Sequence, residues 1–274
     1  MRLESFLAQS GLASRRHVSD VLEEGRVKVN DEVVRIPSYP IFPDKDKVTV
    51  DSRPVAVPQK RLYFMINKPK GVITTAKDTH GRRTVMDFFK DVRVRLYPVG
   101  RLDQDTTGLL LVTNDGTLTN RLTHPRYGVR KVYDALLNQE ISETQTKQLE
   151  SGVIVEGRRT ARCRMKILST RGGRSKVEVE LHEGRKRQIR QMFETIGFRV
   201  IHLHRKRYGP LTLQGLKTGE RRELHESEVA ALHQVATGER STFHDRRTQS
   251  HRPRQPHGFG QSRQEPFLNR SRRS

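Results

Sequence analysis

The stretch YPVGRLDQDTTGLLLVTNDG, Tyr97 to Gly116, decides how the chain reads. Asp103 and Asp105 stand two residues apart, directly after Gly100-Arg101-Leu102. Two threonines and Gly108 follow, then the apolar run Leu109-Leu110-Leu111-Val112, closed by the turn signal Asn114-Asp115-Gly116. Carboxylates flanked by glycine and entering an apolar strand fit a site carried on a loop at a strand's edge. They also fit a surface turn whose acids are merely solvated.

Two chemistries use an aspartate in this setting. In phosphoryl transfer an Asp-x-Asp-x-Thr segment supplies a carboxylate nucleophile and its acid–base partner, with a divalent metal held by further acids. The haloacid-dehalogenase-like phosphatases carry such a motif at the end of a hydrophobic strand. Here the segment follows Pro98-Val99-Gly100-Arg101-Leu102, and no aspartate occurs between Asp134 and Asp245 to hold a metal. The other chemistry is covalent or base-assisted work on a nucleobase. The contiguous stretch GRLDQDTTGLLLVTNDG resembles the signature of the bacterial ribosomal RNA pseudouridine synthases of the RsuA/RluB type. That resemblance implies that Asp103 is the catalytic aspartate and Asp105 a structural motif residue on the same loop.

Composition agrees with a polyanionic partner. The 274 residues carry 53 Lys and Arg against 31 Asp and Glu, a net charge of +22, which points to nucleic acid. No apolar run approaches a membrane span, and the opening MRLESFLAQSG lacks an apolar signal core. A single cysteine, Cys163, excludes a disulfide framework or a cysteine-based zinc site within one chain. A cytoplasmic, monomeric protein is expected.

At the N-terminus, Leu3 to about Gly11 and Arg15 to Glu24 have helical spacing, with Ser14 as cap and Gly25 as stop. Strand alternation follows through Arg26-Val27-Lys28-Val29, a turn at Asn30-Asp31, and Glu32-Val33-Val34. The pattern resembles the S4 RNA-binding domain, although that family has Asn-Gly at the turn and Asp31 departs from it. Arg15, Arg16, Arg26 and Lys28 would form a face that grips phosphates without reading bases. Residues 1–50 are expected to form this domain, 51–60 a linker, and 61–236 the catalytic domain.

In the catalytic domain, Tyr63 to Ile66 reads as a strand ending at Asn67-Lys68-Pro69-Lys70-Gly71. The resemblance makes this NKPKG the domain's opening, with Lys68 and Lys70 near RNA. Ala76 to Thr84 should be a polar loop near RNA. In Lys131-Val132-Tyr133 the resemblance makes Tyr133 a ring that stacks on uracil and helps move a proton. Ser142-x-x-Gln145 is a capping box. Ile189, Met192, Phe193 and Ile196 define an amphipathic helix whose first turn holds Arg185, Lys186, Arg187 and Arg190. Cations there oppose the helix dipole, so an anionic neighbour is expected. The family's third motif, EGRKRQIRQM, makes Arg190 the partner of the catalytic aspartate. Arg101 would hold a phosphate or fill the space left by a flipped base. His202-x-His204 lacks a third metal ligand. Arg205 to Leu211 resembles a further family segment near RNA, and Glu226 to about Val235 reads as a last helix.

Residues 237–274 are rich in Arg, Ser, Gln and His with almost no aliphatic residues, and should be a disordered basic tether. The fold expected is α+β, an αα-β module followed by a mixed, largely antiparallel sheet flanked by helices. The resemblance implies isomerisation of uridine in ribosomal RNA, with 23S rRNA favoured by the segment NRLTHPR and the basic tail. It implies neither metal nor cofactor. The alternatives are a 16S rRNA enzyme and a non-catalytic RNA-binding assembly factor.

Overall fold

Two short helices, α1 (Leu3–Gln9) and α2 (Arg15–Glu23), begin the chain in the computed structural model, which describes residues 1–12, 15–56, 60–76 and 78–237. The cap expected at Ser14, the side chains of Arg15 and Arg16, and the tail from residue 238 lie outside the described residues. Leu3, Phe6 and Leu7 of α1 are buried against Val18 and Leu22 of α2 and the strands that follow. Those strands are β1 (Val27–Val29), β2 (Glu32–Val33), β3 (Val48–Val50) and β4 (Arg53–Pro54), in the order β2-β1-β3-β4.

Val29 pairs with Glu32, so the loop between β1 and β2 is Asn30-Asp31, the turn read from the sequence. Both residues are left-handed, at φ 52° and 69°. Asp31 takes the place of a glycine in this tight turn because Asp tolerates that conformation through local hydrogen bonding. The supposed linker begins too early. Asp51 and Ser52 turn at positive φ, and Arg53-Pro54 pairs back onto Thr49-Val50. Prolines suggested a spacer, but proline is admissible on an edge strand.

The main sheet has nine strands. They are β5 (Tyr63–Lys68), β6 (Tyr97–Pro98), β7 (Thr106–Thr113), β8 (Lys131–Leu137), β11 (Arg164–Arg171), β12 (Arg174–Leu181), β13 (Val200–Tyr208), β14 (Leu211–Thr212) and β15 (Arg221–Glu223). Between them a separate hairpin pairs β9 (Ile154–Val155) with β10 (Arg158–Arg159). The order along the sheet is β11-β12-β8-β13-β7-β5-β15, with β6 on β7 and β14 on β13. Among the described strand pairs only β13 and β7 run parallel, so the sheet is mixed and largely antiparallel, as expected.

Every residue of β7 is buried, which is what a central strand's unbroken apolar run requires. Asn114-Asp115 turns the chain into α3 (Gly116–Thr123), where a short helix over Thr117–Leu122 is readable from the sequence: the Asp115 carboxylate accepts from Leu118 N–H at 3.0 Å and caps it. Asp115 also accepts from Arg61 at 2.8 Å and the Tyr63 hydroxyl at 2.9 Å. α4 (Glu143–Glu150) opens with the anticipated Ser142/Gln145 capping box. α5 (Gln188–Glu194) buries Ile189, Met192 and Phe193 against Val177, Val179 and Leu203. α6 (Glu226–Thr237) packs with α3 over β7, burying Leu232 and Ala236 near Leu109 and Leu111. No described helix is long and apolar enough to cross a membrane.

Candidate active site

Asp103 and Asp105 lie on the turn that enters β7, and both are partly exposed. The turn is fastened by a residue expected to touch RNA. Lys68, at the end of β5, is 0% exposed. Its ammonium donates to the carbonyls of Thr106 at 2.8 Å and Pro69 at 3.0 Å, with Gln104 O at 3.5 Å. It cannot reach a phosphate, because β5 pairs with β7 in a register that sets Lys68 opposite Gly108. Lys68 is therefore a clamp beneath the carboxylate loop. Gln104 adds a second fastening, from its side-chain amide to Gly71 O at 3.2 Å.

Burial pushes the Lys68 amine down to about 8, against the pull of Asp105 and Asp103. Below pH 8 the group is charged folded or unfolded. Between about 8 and its ordinary value of 10.5 the unfolded chain keeps a proton that the folded one has released. Stability from this residue therefore rises with pH across that window. Lys68→Met is expected to fall further behind the wild type by about 3 kcal/mol between pH 7 and pH 10.5 in urea titrations. A pH-independent difference would contradict the buried clamp.

The arginines expected beside the carboxylates are present in a different arrangement. α5 starts at Gln188, so Arg185, Lys186 and Arg187 precede it and only Arg190 lies in its first turn. The cations still face the positive end of the helix dipole, and Asp103 and Asp105 are the anionic neighbours that offset it. Arg187, the N-cap, is left-handed at φ 50°, a conformation that costs a non-glycine residue about 1 kcal/mol or more. It directs Nη1 between the two acids, 3.4 Å from Asp105 Oδ1 and 3.7 Å from Asp103 Oδ2.

Arg190 is 5% exposed and anchored by Nη1 donating to Val200 O at 2.7 Å. Its Nη2 lies 2.9 Å from Asp105 Oδ2. The expected Arg190–Asp103 pair is replaced by Arg190–Asp105, because the Val200 carbonyl fixes the guanidinium on that side. Asp105 is more than a loop residue, since it takes both arginines. The Arg190–Asp105 contact lacks hydrogen-bond alignment, and neither Nε nor Nη2 of Arg190 has a hydrogen-bond acceptor among the described residues. Burial lowers the pKa of Arg190, while Asp105 and Asp103 raise it.

Tyr133 stands on β8, half-buried, and packs against two apolar clusters, one that includes Leu102, Ile66 and Leu110 and one that includes Met192 and Phe193 of α5. Of the other predicted contacts, Arg101, Lys28, Lys70 and Lys186 are exposed. Arg26 is held by Asp51 and Glu24 at 2.5–2.9 Å. Arg185 donates to the carbonyls of Arg158 and Arg159, bracing the β9–β10 hairpin against α5. In the 76–84 loop Arg82 is paired with Asp78 at 2.7 Å. His204 accepts or donates with Thr107 Oγ1 at 2.8 Å, and His202 stacks on it. No group of three metal-ligating side chains occurs among the described residues. Arg205 and Tyr208, expected near RNA, are both buried.

Comparison with known proteins places this geometry. The profile of the RNA pseudouridylate synthase family matches residues 62–195, and that of the S4 domain residues 1–46. Ribosomal large subunit pseudouridine synthase B of Bacillus subtilis is 41% identical over 244 residues, 88% of this chain and 99% of the relative. The chain belongs to the RNA pseudouridylate synthase family. Ribosomal small subunit pseudouridine synthase A of Escherichia coli is 34% identical, covering 85% of this chain and all of the relative. A solved pseudouridylate synthase superposes with a TM-score of 0.62 at 30% identity, over 85% of this chain and 99% of the other. As a pseudouridine synthase the chain is an isomerase acting on RNA. The matched region includes the Asp103–Asp105 turn, Tyr133 and Arg190.

Proposed function

We propose that this synthase isomerises a uridine of ribosomal RNA, in the large subunit, with Asp103 as the acting carboxylate. Arg187 and Arg190 supply the opposing charge, and Tyr133 supplies the ring against the uracil and a route for a proton. The observation that carries this reading is the convergence of Asp103, Asp105, Arg187 and Arg190 on one clamped loop. An acid facing a flipped base loses water on that side, and the neighbouring guanidinium groups give it an opposing charge. Tyr133 packs on the apolar cluster that contains Leu102, the residue before Asp103, and its ring offers a surface for a base taken out of its stack.

The reaction breaks the bond from N1 to C1′, turns the base and joins C5 to C1′. Electrons are conserved, so no redox partner enters. Arg101, Lys28, Lys70 and Lys186, each exposed, are the phosphate contacts in this reading. In this reading the enzyme acts as a monomer in the cytoplasm, where ribosomes are assembled. Greater identity to the large-subunit relative than to the small-subunit one supports the 23S assignment.

The test is a pseudouridine map of 23S and 16S rRNA from cells with and without the gene. One 23S site is expected to disappear and to return with the wild-type gene but not with Asp103→Ala. A lost 16S site would keep the chemistry and overturn the subunit. No lost site would favour an RNA-binding assembly factor.

A further inference from the structure

Strands β8 and β13 bury two cations that the reading above does not use. Arg205 is 3% exposed and Lys131 is 7% exposed. Neither has a carboxylate within ion-pair distance among the described residues. Burial, with Arg205 as a second cause, pushes the Lys131 amine down to about 8. A buried guanidinium without a counter-charge is costly, and such groups persist where an anion arrives or develops.

Arg205 is held tightly. Its Nε donates to Leu109 O at 2.7 Å. Its guanidinium carbon lies 4.9 Å from the Tyr208 ring centroid and 6.0 Å from that of Tyr133. Arg205 is the register partner of Tyr133 on β8 and of Gly108 on β7. Two of its nitrogens remain informative. Nη1 is 3.5 Å from the Tyr133 hydroxyl, a long contact, and Nη2 is buried with no acceptor. The one side chain of the proposed site that touches this uncompensated charge is Tyr133.

Resting on the role of Tyr133 proposed above, we infer that Arg205 is a positioning residue that orients the Tyr133 hydroxyl and balances negative charge developing on its oxygen. The isomerisation moves one proton from C5 to N1, with no net gain or loss of protons. A tyrosine relaying that proton hands its own to N1 and then takes the one from C5, so between the two transfers its oxygen is a phenolate. A fixed cation at that oxygen costs no reorganisation when the charge appears. The 3.5 Å separation shortens into a hydrogen bond as that charge grows.

The experiment is a double-mutant cycle on the full chain, with single-turnover rates on an rRNA fragment containing the target uridine and binding measured separately. Arg205→Met is expected to slow turnover by about 10²-fold with RNA affinity within about threefold, the scale of one proton-transfer group. Arg205→Lys, which keeps the charge, is expected to recover part of that loss. In Tyr133→Phe there is no hydroxyl to serve, so adding Arg205→Met should slow it by no more than about threefold. Multiplicative losses would overturn the inference and leave Arg205 a packing residue. If Arg205→Met does not fold, the same cycle is run with Arg205→Lys. A wild-type chain inactive on every rRNA fragment would fail the proposed function itself, a result distinct from multiplicative losses in an active enzyme.

Discussion

Asp103→Asn is expected to lower turnover by about 10⁴-fold or more while RNA binding is unchanged or slightly tighter. The rate loss is of the order seen when an enzyme loses its nucleophile or base. The binding expectation follows from charge. Asp103 stands in a strongly basic molecule and is only partly exposed beside Arg187. Neutralising it removes one repulsion toward phosphate while Arg187 keeps Asp105 as its partner, so affinity has no reason to fall. The amide matches the carboxylate in shape, and Lys68 and Gln104 fasten the loop without using the Asp103 side chain. The variant should therefore melt with the wild type. Single-turnover assays and filter binding on one rRNA fragment check both halves. Parallel loss of binding and rate would argue for a recognition role and against catalysis.

Gly108→Ala is expected to be the most destabilising single methyl in the catalytic domain. A Cβ at Gly108 would lie 2.3 Å from the Arg205 carbonyl oxygen and 2.7 Å from its nitrogen, and the residue sits at φ 106°. All three nearest atoms are backbone, so no side chain can swing aside. Relief requires β7 and β13 to separate. That register sets the carboxylate loop against Arg205 and, through it, Tyr133. A loss of about 3–4 kcal/mol is of the size associated with overpacking plus strain. It would lower the melting temperature by roughly 10 °C for a chain of this size. Calorimetry checks the number, and a melting temperature within about 2 °C of the wild type would show that the strands yield more easily than their packing implies.

Much of this was readable in one dimension. Helices α1, α2 and α6 fall close to where their apolar spacing puts them, and the 142–145 box caps α4 as read. The unbroken run Leu109–Val112 is a central strand. The residues that misled are those whose partners come from far along the chain. Lys68 looks like a solvated cation within a polar NKPKG segment. Only the fold brings the Gln104 and Thr106 carbonyls, nearly forty positions later, onto its amine. Arg185 was grouped with its basic neighbours, yet it braces a hairpin twenty-six residues back. Arg190 reads as the partner of Asp103, but the Val200 carbonyl turns it toward Asp105. Arg205 sits in a segment, HRKRYG, whose charge suggests surface. Its burial depends on β13 inserting between β7 and β8, which the local pattern does not encode. A cue to that insertion lies in Gly108, the one residue of β7 without a side chain.

The position of β13 also sets the order in which the enzyme comes into being. It occupies residues 200–208, yet it lies between β7 and β8, which leave the ribosome some seventy to ninety residues earlier. Until β13 is made, β7 and β8 have no bridge between them, and the strands bearing Tyr133 and the Asp103 loop are not held in register. Parallel pairing over so long a separation is slow to form. A nascent chain halted before residue 200 would therefore display its basic N-terminal module while having no assembled centre. Competence to modify RNA appears at one late step of synthesis, and partly made chains can only compete for the substrate.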